Sequence, residues 1–324
     1  MEHITGMWKS WVICCAVKLN IADHLHKQPL SIEALSDLTQ THTVSLYRMM
    51  RALASIGIFK EDEEKKWTLT PMAELLRGDN QKSLKFTSLS AIDDNHLMWS
   101  HLLTAIQTGN GIFEKAYGLR VDQYLMSNPI YFQNLRGALQ EHAEMYCNHI
   151  TEVYDFSGFK HIVDIGGHDG SFLALILKTV NAKGTVFDLQ YAIDVAKNNS
   201  EIIALGNRCE LVVGDFFKSV PGDGDCYIMK STLADWFDEN AVKILNNIAI
   251  EMKTNSKLLI IEPCLPESNI PHFGKIQDLL NLVYGGGKYR TKREFQSLLE
   301  ASGLRLNRII PLKNEMYDIM EVVK

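Results

Sequence analysis

The sequence predicts an α/β protein: a doubly wound, mostly parallel sheet in the C-terminal half, preceded by a helical part of winged-helix type. Three observations carry the prediction. Residues His161 to Ser171 read as strand, glycine turn and helix. From residue 155 onward, short apolar runs alternate with amphipathic segments, the pattern of βαβ units. Before residue 85, a set of short helices gives way to a hairpin.

The N-terminal elements follow in order. Trp8 to Asn20 has helical periodicity, and Ser31-Ile-Glu-Ala-Leu35 opens a helix behind a serine cap. Val44, Tyr47, Met50, Leu53 and Ile56 fall three or four residues apart on one helix face, which Gly57 ends. Ile58 to Lys60, the charged turn Glu61 to Lys66, and Trp67 to Leu69 then form a hairpin. A winged helix invites a DNA-binding reading. The would-be recognition helix offers only Arg48 and Arg51, however, and the wing is acidic at Glu61, Asp62, Glu63 and Glu64. Phosphate contacts dominate DNA affinity, so this module is poorly equipped, and the apolar first helix points to a homodimer instead.

Residues 86–154 are helical, with interleaved aromatics and histidines, among them His96, Trp99, Phe113, Tyr117, Tyr124, Phe132, His142, Tyr146 and His149. Most belong to a core or to solvent, while His142 and His149 are candidates to line a substrate cavity. The organisation is therefore 1–85 dimerisation part, 86–154 helical linker lining the substrate, and 155–324 ligand-binding domain. In the last, the expected strands are Ile162–Ile165, Thr185–Asp188, Cys209–Val213, Cys226–Lys230, Lys257–Glu262, Arg305–Pro311 and Met316–Val323, the last two joined by a short polar turn as an antiparallel edge pair.

Composition narrows the function classes. At 324 residues and 46% hydrophobic the chain can bury a large core, and a net charge of -6 calls for neither nucleic acid nor an anionic membrane. Val12 to Val17 is too short to span a bilayer, and no signal-peptide pattern is visible, so a cytoplasmic location is expected. The six cysteines show no C-x-x-C and no histidines at zinc spacing; buried thiols are expected and a metal site is not.

The chemistry begins at Gly166-Gly-His-Asp-Gly170. Its glycines make a turn too tight for side chains, the opening of a nucleotide-binding βαβ unit. Some twenty residues on, Gly184-Thr-Val-Phe-Asp-Leu189 supplies a strand ending in Asp188, where such folds place the acid that grips ribose hydroxyls. A dinucleotide fingerprint wants G-x-G-x-x-G. Here Asp169 sits inside the loop, where it would repel a pyrophosphate and suit a ligand without phosphates.

Farther on, Gly214-Asp-Phe-Phe217 and Tyr227-Ile-Met-Lys-Ser-Thr-Leu-Ala-Asp-Trp236 follow in order. With these the chain resembles the dimeric small-molecule O-methyltransferases that use S-adenosyl-L-methionine, a family of plant caffeic acid-type enzymes and bacterial natural-product tailoring enzymes of secondary metabolism. The likeness runs from the winged-helix part to Tyr317-Asp-Ile-Met-Glu-Val322. It implies a class I methyltransferase Rossmann-like sheet behind a dimerisation domain. It also implies cofactor roles: Gly166 and Gly167 against the methionine and ribose part, Asp188 on the ribose hydroxyls, Asp215 at the adenine amino edge, Phe216 on the adenine face, and Lys230 near the cofactor. Each lies at or just past the carboxyl end of a strand, where doubly wound folds bind ligands. Read without the resemblance, Asp188 and Asp215 would be turn acids, Phe216 core and Lys230 a surface charge. The helix from Gln277 to Val283 is implied to wall the acceptor site, and Asp235, Trp236, Asp278, Asn281 and Tyr284 are pocket candidates.

The departure is at the catalytic step. The family's base is the histidine of a His-Asp-Trp run, and this chain reads Ala234-Asp235-Trp236. Of the two glutamates flanking that base in plant members, one matches Glu262 and the other falls on Tyr289. Asp235 and Glu262 remain as candidate catalytic acids. A positioned base contributes about 10²–10⁴-fold, roughly 3–5.5 kcal/mol, whereas alignment of nucleophile and methyl donor contributes about 7–11 kcal/mol. Methyl transfer thus survives where the acceptor needs no deprotonation, as with a ring nitrogen or an acidic phenol. The phenazine-1-carboxylate N-methyltransferases, a bacterial branch that also lacks the histidine, open with a segment similar to Ile4-Thr-Gly-Met-Trp-Lys-Ser10. The expected activity is methyl transfer to a small aromatic or heteroaromatic metabolite. The competing reading keeps the cofactor but not the transfer, as in pericyclase- or hydroxylase-like relatives.

Overall fold

The computed structural model describes residues 1–312 and 316–324. The chain forms two compact units: Met1–Ser100 with Tyr117–Met145, and His101–Ala116 with Tyr146–Lys324. The residues expected to form one helical linker, 86–154, are shared between them.

In the first unit the opening helix spans Glu2–Lys18, longer at its start than the apolar periodicity indicates. Its C-terminal half is buried at Cys14, Ala16 and Val17, while Ile4, Met7 and Trp8 are exposed. Cys15, expected to be buried with the other thiols, is also exposed. Ser31 caps the helix Ile32–Thr39, its Oγ accepting the Ala34 N–H at 3.3 Å, a contact worth about 1 kcal/mol. The helix Thr43–Ser55 buries Leu46, Met50 and Leu53, at i, i+4 and i+7. Val44, expected on that face, is 62% exposed: it lies on the first turn, two residues ahead of the stripe. Strands β1 (Leu30–Ser31), β2 (Phe59–Glu61) and β3 (Lys66–Leu69) form an antiparallel sheet in the order β1-β3-β2. The short β1, not expected from sequence, places Leu30 opposite the buried Trp67. At the acidic wing Asp62 Oδ1 accepts the N–H groups of Glu64 and Lys66, so the acid closes the turn.

Among its described residues the second unit carries nine strands: β4 (His161–Ile165), β5 (Lys183–Asp188), β6 (Cys209–Val213), β7 (Cys226–Lys230), β8 (Lys257–Glu262), β9 (Cys264–Leu265), β10 (Arg290–Thr291), β11 (Arg305–Pro311) and β12 (Asp318–Val323). Seven make one sheet, ordered β11-β12-β8-β7-β4-β5-β6. The run from β8 to β6 is parallel, and β12 and β11 add the antiparallel edge. The turn expected between those two strands lies in part outside the described residues. After β6 the chain returns to the other side of β4, so the order reverses there. That reversal opens a crevice beyond the carboxyl ends of β4 and β7, the usual ligand position in such sheets. Val163, Ile165, Tyr227, Met229, Leu258 and Ile260 build the core beneath it. One buried acid, Glu321 on β12, is structural: it accepts from Tyr154 Oη at 2.7 Å and from Arg308 at 3.0 Å. Among the described residues no helix is long and apolar enough to cross a membrane.

Candidate functional site

The glycine loop leaves β4 through Gly166 at φ +73°, and Gly170, at φ +74°, precedes the helix Ser171–Thr179. A Cβ on Gly166 would meet Thr232 Cγ2 at 2.8 Å, and one on Gly167 would meet the Asp164 carboxyl at 2.9 Å. The protein's own packing therefore requires these glycines, quite apart from any ligand. Asp169, inside the loop, bonds the Ser171 N–H at 3.1 Å and its Oγ at 2.9 Å. An acid thus occupies the helix N-terminus, the place where a phosphate would bind.

Asp188 folds back over the same loop. Its Oδ2 accepts the His168 N–H at 2.9 Å and its Oδ1 accepts the Leu189 N–H at 2.7 Å. A carboxylate oxygen has more than one acceptor site, so both oxygens can still take ribose hydroxyls. Beyond β6, Asp215 Oδ1 accepts the Phe217 N–H at 2.9 Å. Phe216 packs edge-on against Phe217 (5.1 Å) and Trp236 (6.0 Å). Lys230, at the end of β7, sits 5.8 Å from the Phe172 ring centroid. Burial lowers its pKa, but Cys147, Tyr317, Asp164 and Asp169 together raise it above the ordinary lysine value.

Asp164 is a residue the sequence reading missed. It is buried within β4, and burial pushes its carboxyl up to about 7 while Lys230 pulls it down. Its signal was present: an acid inside an otherwise apolar strand, Ile162-Val-Asp-Ile165.

A second group of side chains surrounds the Ala234-Asp235-Trp236 turn. Ala234 is buried, and its N–H donates to Glu262 Oε2 at 3.0 Å. Glu262 is fully buried at the end of β8, and its Oε1 has no partner. Burial raises its pKa to about 7, opposed by Arg290 and the Ala234 N–H. Asp235 is accessible by area yet crowded by protein, as on a concave wall, and that crowding pushes its carboxyl up to about 7.

Two further features of this turn were also missed. Arg290, fully buried in β10, donates to Asp238 Oδ1 (2.9 Å) and to the carbonyls of Trp236 (2.8 Å), Lys288 (3.3 Å) and Leu233 (3.4 Å). Gly287 lies so close that a Cβ there would fall 2.1 Å from Ala234 O and 2.8 Å from Asp235 Cα. Gly-Gly-Lys-Tyr-Arg reads as an ordinary loop, and nothing in it marks the backbone it abuts.

The helix Gly274–Tyr284 flanks this turn's partner loop. Asp278 Oδ1 accepts the Tyr289 N–H at 2.5 Å, so that acid anchors the loop backbone. Asn281 acts on the Tyr289 phenol, holding its pKa down against a larger rise from burial, although its Nδ2 makes no hydrogen bond of acceptable geometry. Tyr284 stacks on Phe113 at 5.7 Å. Ser231 Oγ donates to Tyr317 Oη at 3.1 Å. The structure thus gathers Gly166, Gly167 and Asp188 at one loop, and Asp215, Phe216 and Trp236 around one aromatic cluster. It gathers Asp235, Glu262, Asp278 and Asn281 around Ala234 and Tyr289. His149 pairs instead with Glu152, one turn along its own helix at 3.3 Å, and His142 belongs to the first unit. A cavity of about 330 Å³ in the first unit, lined by Asp93, His96, Tyr117, Tyr124 and Tyr131, contains none of these residues.

A glycine loop closed to phosphate, an aspartate with acceptor sites to spare, and an aromatic face beside Asp215 fit S-adenosylmethionine. This is the constellation of an S-adenosylmethionine-dependent methyltransferase, and the comparisons agree. The O-methyltransferase dimerisation domain matches residues 1–79 and the O-methyltransferase domain residues 99–305. The chain belongs to the O-methyltransferase family. It is 36% identical to the phenazine O-methyltransferase PhzM of Lysobacter antibioticus over 312 residues, covering 96% of this chain and 92% of that one. The phenazine-1-carboxylate N-methyltransferase of Pseudomonas aeruginosa is 28% identical, with coverage of 97% and 94%. The crystal structure of NcsB1, an O-methyltransferase from neocarzinostatin biosynthesis bound to S-adenosylmethionine and 2-hydroxy-5-methyl naphthoic acid, superposes with a TM-score of 0.82. It is 28% identical, with coverage of 97% and 95%.

Proposed function

We propose that this enzyme, acting as a homodimer, methylates a planar aromatic or heteroaromatic metabolite at a ring nitrogen or an acidic hydroxyl. The observation that carries the choice of atom is Ala234. The position that bears a base in plant members is a buried methyl group here, and the nearby Glu262 carboxyl bonds the Ala234 backbone N–H through Oε2. The acceptor class rests on the relatives, whose names specify phenazines and a naphthoate-like acid. The homodimer rests on the dimerisation-domain match and on the exposed Ile4, Met7 and Trp8.

In this reading Gly166, Gly167, Asp188, Asp215, Phe216 and Lys230 hold the cofactor, which supplies an electrophilic methyl group on a sulfonium. Trp236, Asp278, Asn281 and Tyr284 wall the acceptor. Asp235, accessible and half-ionised near neutrality, takes the proton that an acidic hydroxyl sheds. Glu262 positions the turn that carries it. Most of the rate comes from orientation, about 7–11 kcal/mol for well-aligned partners.

The test is a panel of acceptors at pH 7.5, read by S-adenosylhomocysteine release and product mass. A phenazine nitrogen and an acidic nitrophenol should turn over at least about 10²-fold faster than catechol, the contribution of a missing base. Catechol methylated as fast as either would overturn the choice of atom. Consumption of acceptor without S-adenosylhomocysteine would overturn methyl transfer to it.

A further inference from the structure

Among the described residues of the second unit, four buried side-chain polar atoms have no partner: Trp236 Nε1, Glu262 Oε1, Gln277 Oε1 and Asn281 Nδ2. Folded proteins satisfy about nine in ten such atoms, so four orphans around one turn and one flanking helix point to a ligand that completes them. Trp236 packs against Phe216 and Phe217, between the side assigned to the cofactor and the acceptor wall. The other three lie around the helix and Tyr289 assigned to the acceptor. Gln277 and Asn281 are four residues apart on one helix, hence neighbours on one face, about 5–6 Å between Cβ atoms. Tyr284 continues that face three residues on, and the Tyr289 phenol, which feels both Asn281 and Glu262, borders it.

The two orphans have opposite needs. Gln277 Oε1 can only accept and Asn281 Nδ2 can only donate. We infer that Gln277 and Asn281 together read a donor–acceptor edge on the acceptor molecule, the edge of an aromatic carboxamide. This rests on the function proposed above.

The charges around the pair choose the amide over a carboxylate. The nearby cations are already engaged: Arg290 with Asp238 and three carbonyls, and Lys288 with Asp238 and Glu294. The acids Asp235, Glu262 and Asp278 line the same neighbourhood. An ionised carboxylate would meet these acids while both of those cations keep their own partners, whereas a neutral amide satisfies both orphans.

The experiment separates this inference from the reading beneath it by measuring binding apart from turnover. Phenazine-1-carboxamide, phenazine-1-carboxylate and unsubstituted phenazine are titrated into the full-length protein saturated with S-adenosylhomocysteine. Wild type should bind the carboxamide about tenfold or more tighter than the other two, the worth of one hydrogen bond to a buried partner. Gln277→Met and Asn281→Leu, close in volume, should each weaken the carboxamide about tenfold more than unsubstituted phenazine and leave S-adenosylhomocysteine affinity within twofold. Equal affinity for all three probes, or a carboxamide preference that survives both substitutions, overturns the inference. A carboxamide preference without methyl transfer to any of the three sustains the inference and counts against the phenazine-like acceptor class.

Discussion

Gly287 is the position where a single methyl group should separate chemistry from cofactor binding. In Gly287→Ala the new Cβ would stand 2.1 Å from Ala234 O, 2.6 Å from Asp235 C and 2.8 Å from Asp235 Cα, against a floor near 3.0 Å for real contacts. All three obstacles are backbone, so no side chain can swing away. The Ala234–Asp235 turn must move by about 1 Å, a displacement that costs on the order of 10²-fold in rate when it misplaces a reacting geometry. Overpacking should cost about 1–3 kcal/mol, which for a unit of this size lowers Tm by about 2–12 °C. The glycine loop and Asp188 sit on other elements, so S-adenosylhomocysteine affinity by calorimetry should stay within about threefold. Gly285→Ala is the control: two residues away, its Cβ meets nothing within 4 Å. A Gly287→Ala enzyme with wild-type kcat would refute the reasoning, as would a Gly285→Ala enzyme equally impaired.

Three further outcomes are expected. Asp188→Asn should weaken S-adenosylhomocysteine about 10–100-fold by calorimetry, the worth of hydrogen bonds to a charged group; a change under twofold would remove Asp188 from the ribose position. Arg290→Met strands three carbonyls and Asp238, and should lower stability by about 3 kcal/mol in denaturant titration; Arg290→Lys, which keeps the charge but loses the planar fork, should recover only part of it. A loss below about 1 kcal/mol would show the clamp to be incidental. Glu262 has its folded pKa raised from 4.5 to about 7, so between those values the folded state keeps a proton that the unfolded chain releases. Its contribution to stability therefore falls as pH rises from about 4.5 to 7. Glu262→Gln removes that slope, so the variant's Tm relative to wild type should climb across this window; a constant difference would mean that Glu262 titrates normally.

The strands were legible because they are short apolar runs bounded by glycines and charges. Cys209–Val213, Cys226–Lys230, Lys257–Glu262 and Arg305–Pro311 stand where the pattern put them. β5 begins two residues earlier than expected, because pairing with β4 reaches back to Lys183 opposite His161, and hydrogen bonding to a neighbour is not written in local hydrophobicity. The two-residue β1 was invisible for the same reason: it exists only as a partner of Trp67.

By itself the sequence determined which ligand the loop suits and which chemistry is missing. The first depends on residue type at a spacing, glycines with Asp169 between them and Asp188 a strand later; the second depends on the family resemblance, which puts Ala234 where the family has its base. What only the tertiary structure decided is how that turn is held. Arg290 and Gly287 lie more than fifty residues beyond Ala234, and Asp164 feels the charge of Lys230 from the neighbouring strand. The orphaned atoms of Gln277 and Asn281 likewise emerge only once their surroundings are packed. Burial and contact are properties of the folded chain, and a linear pattern does not carry them.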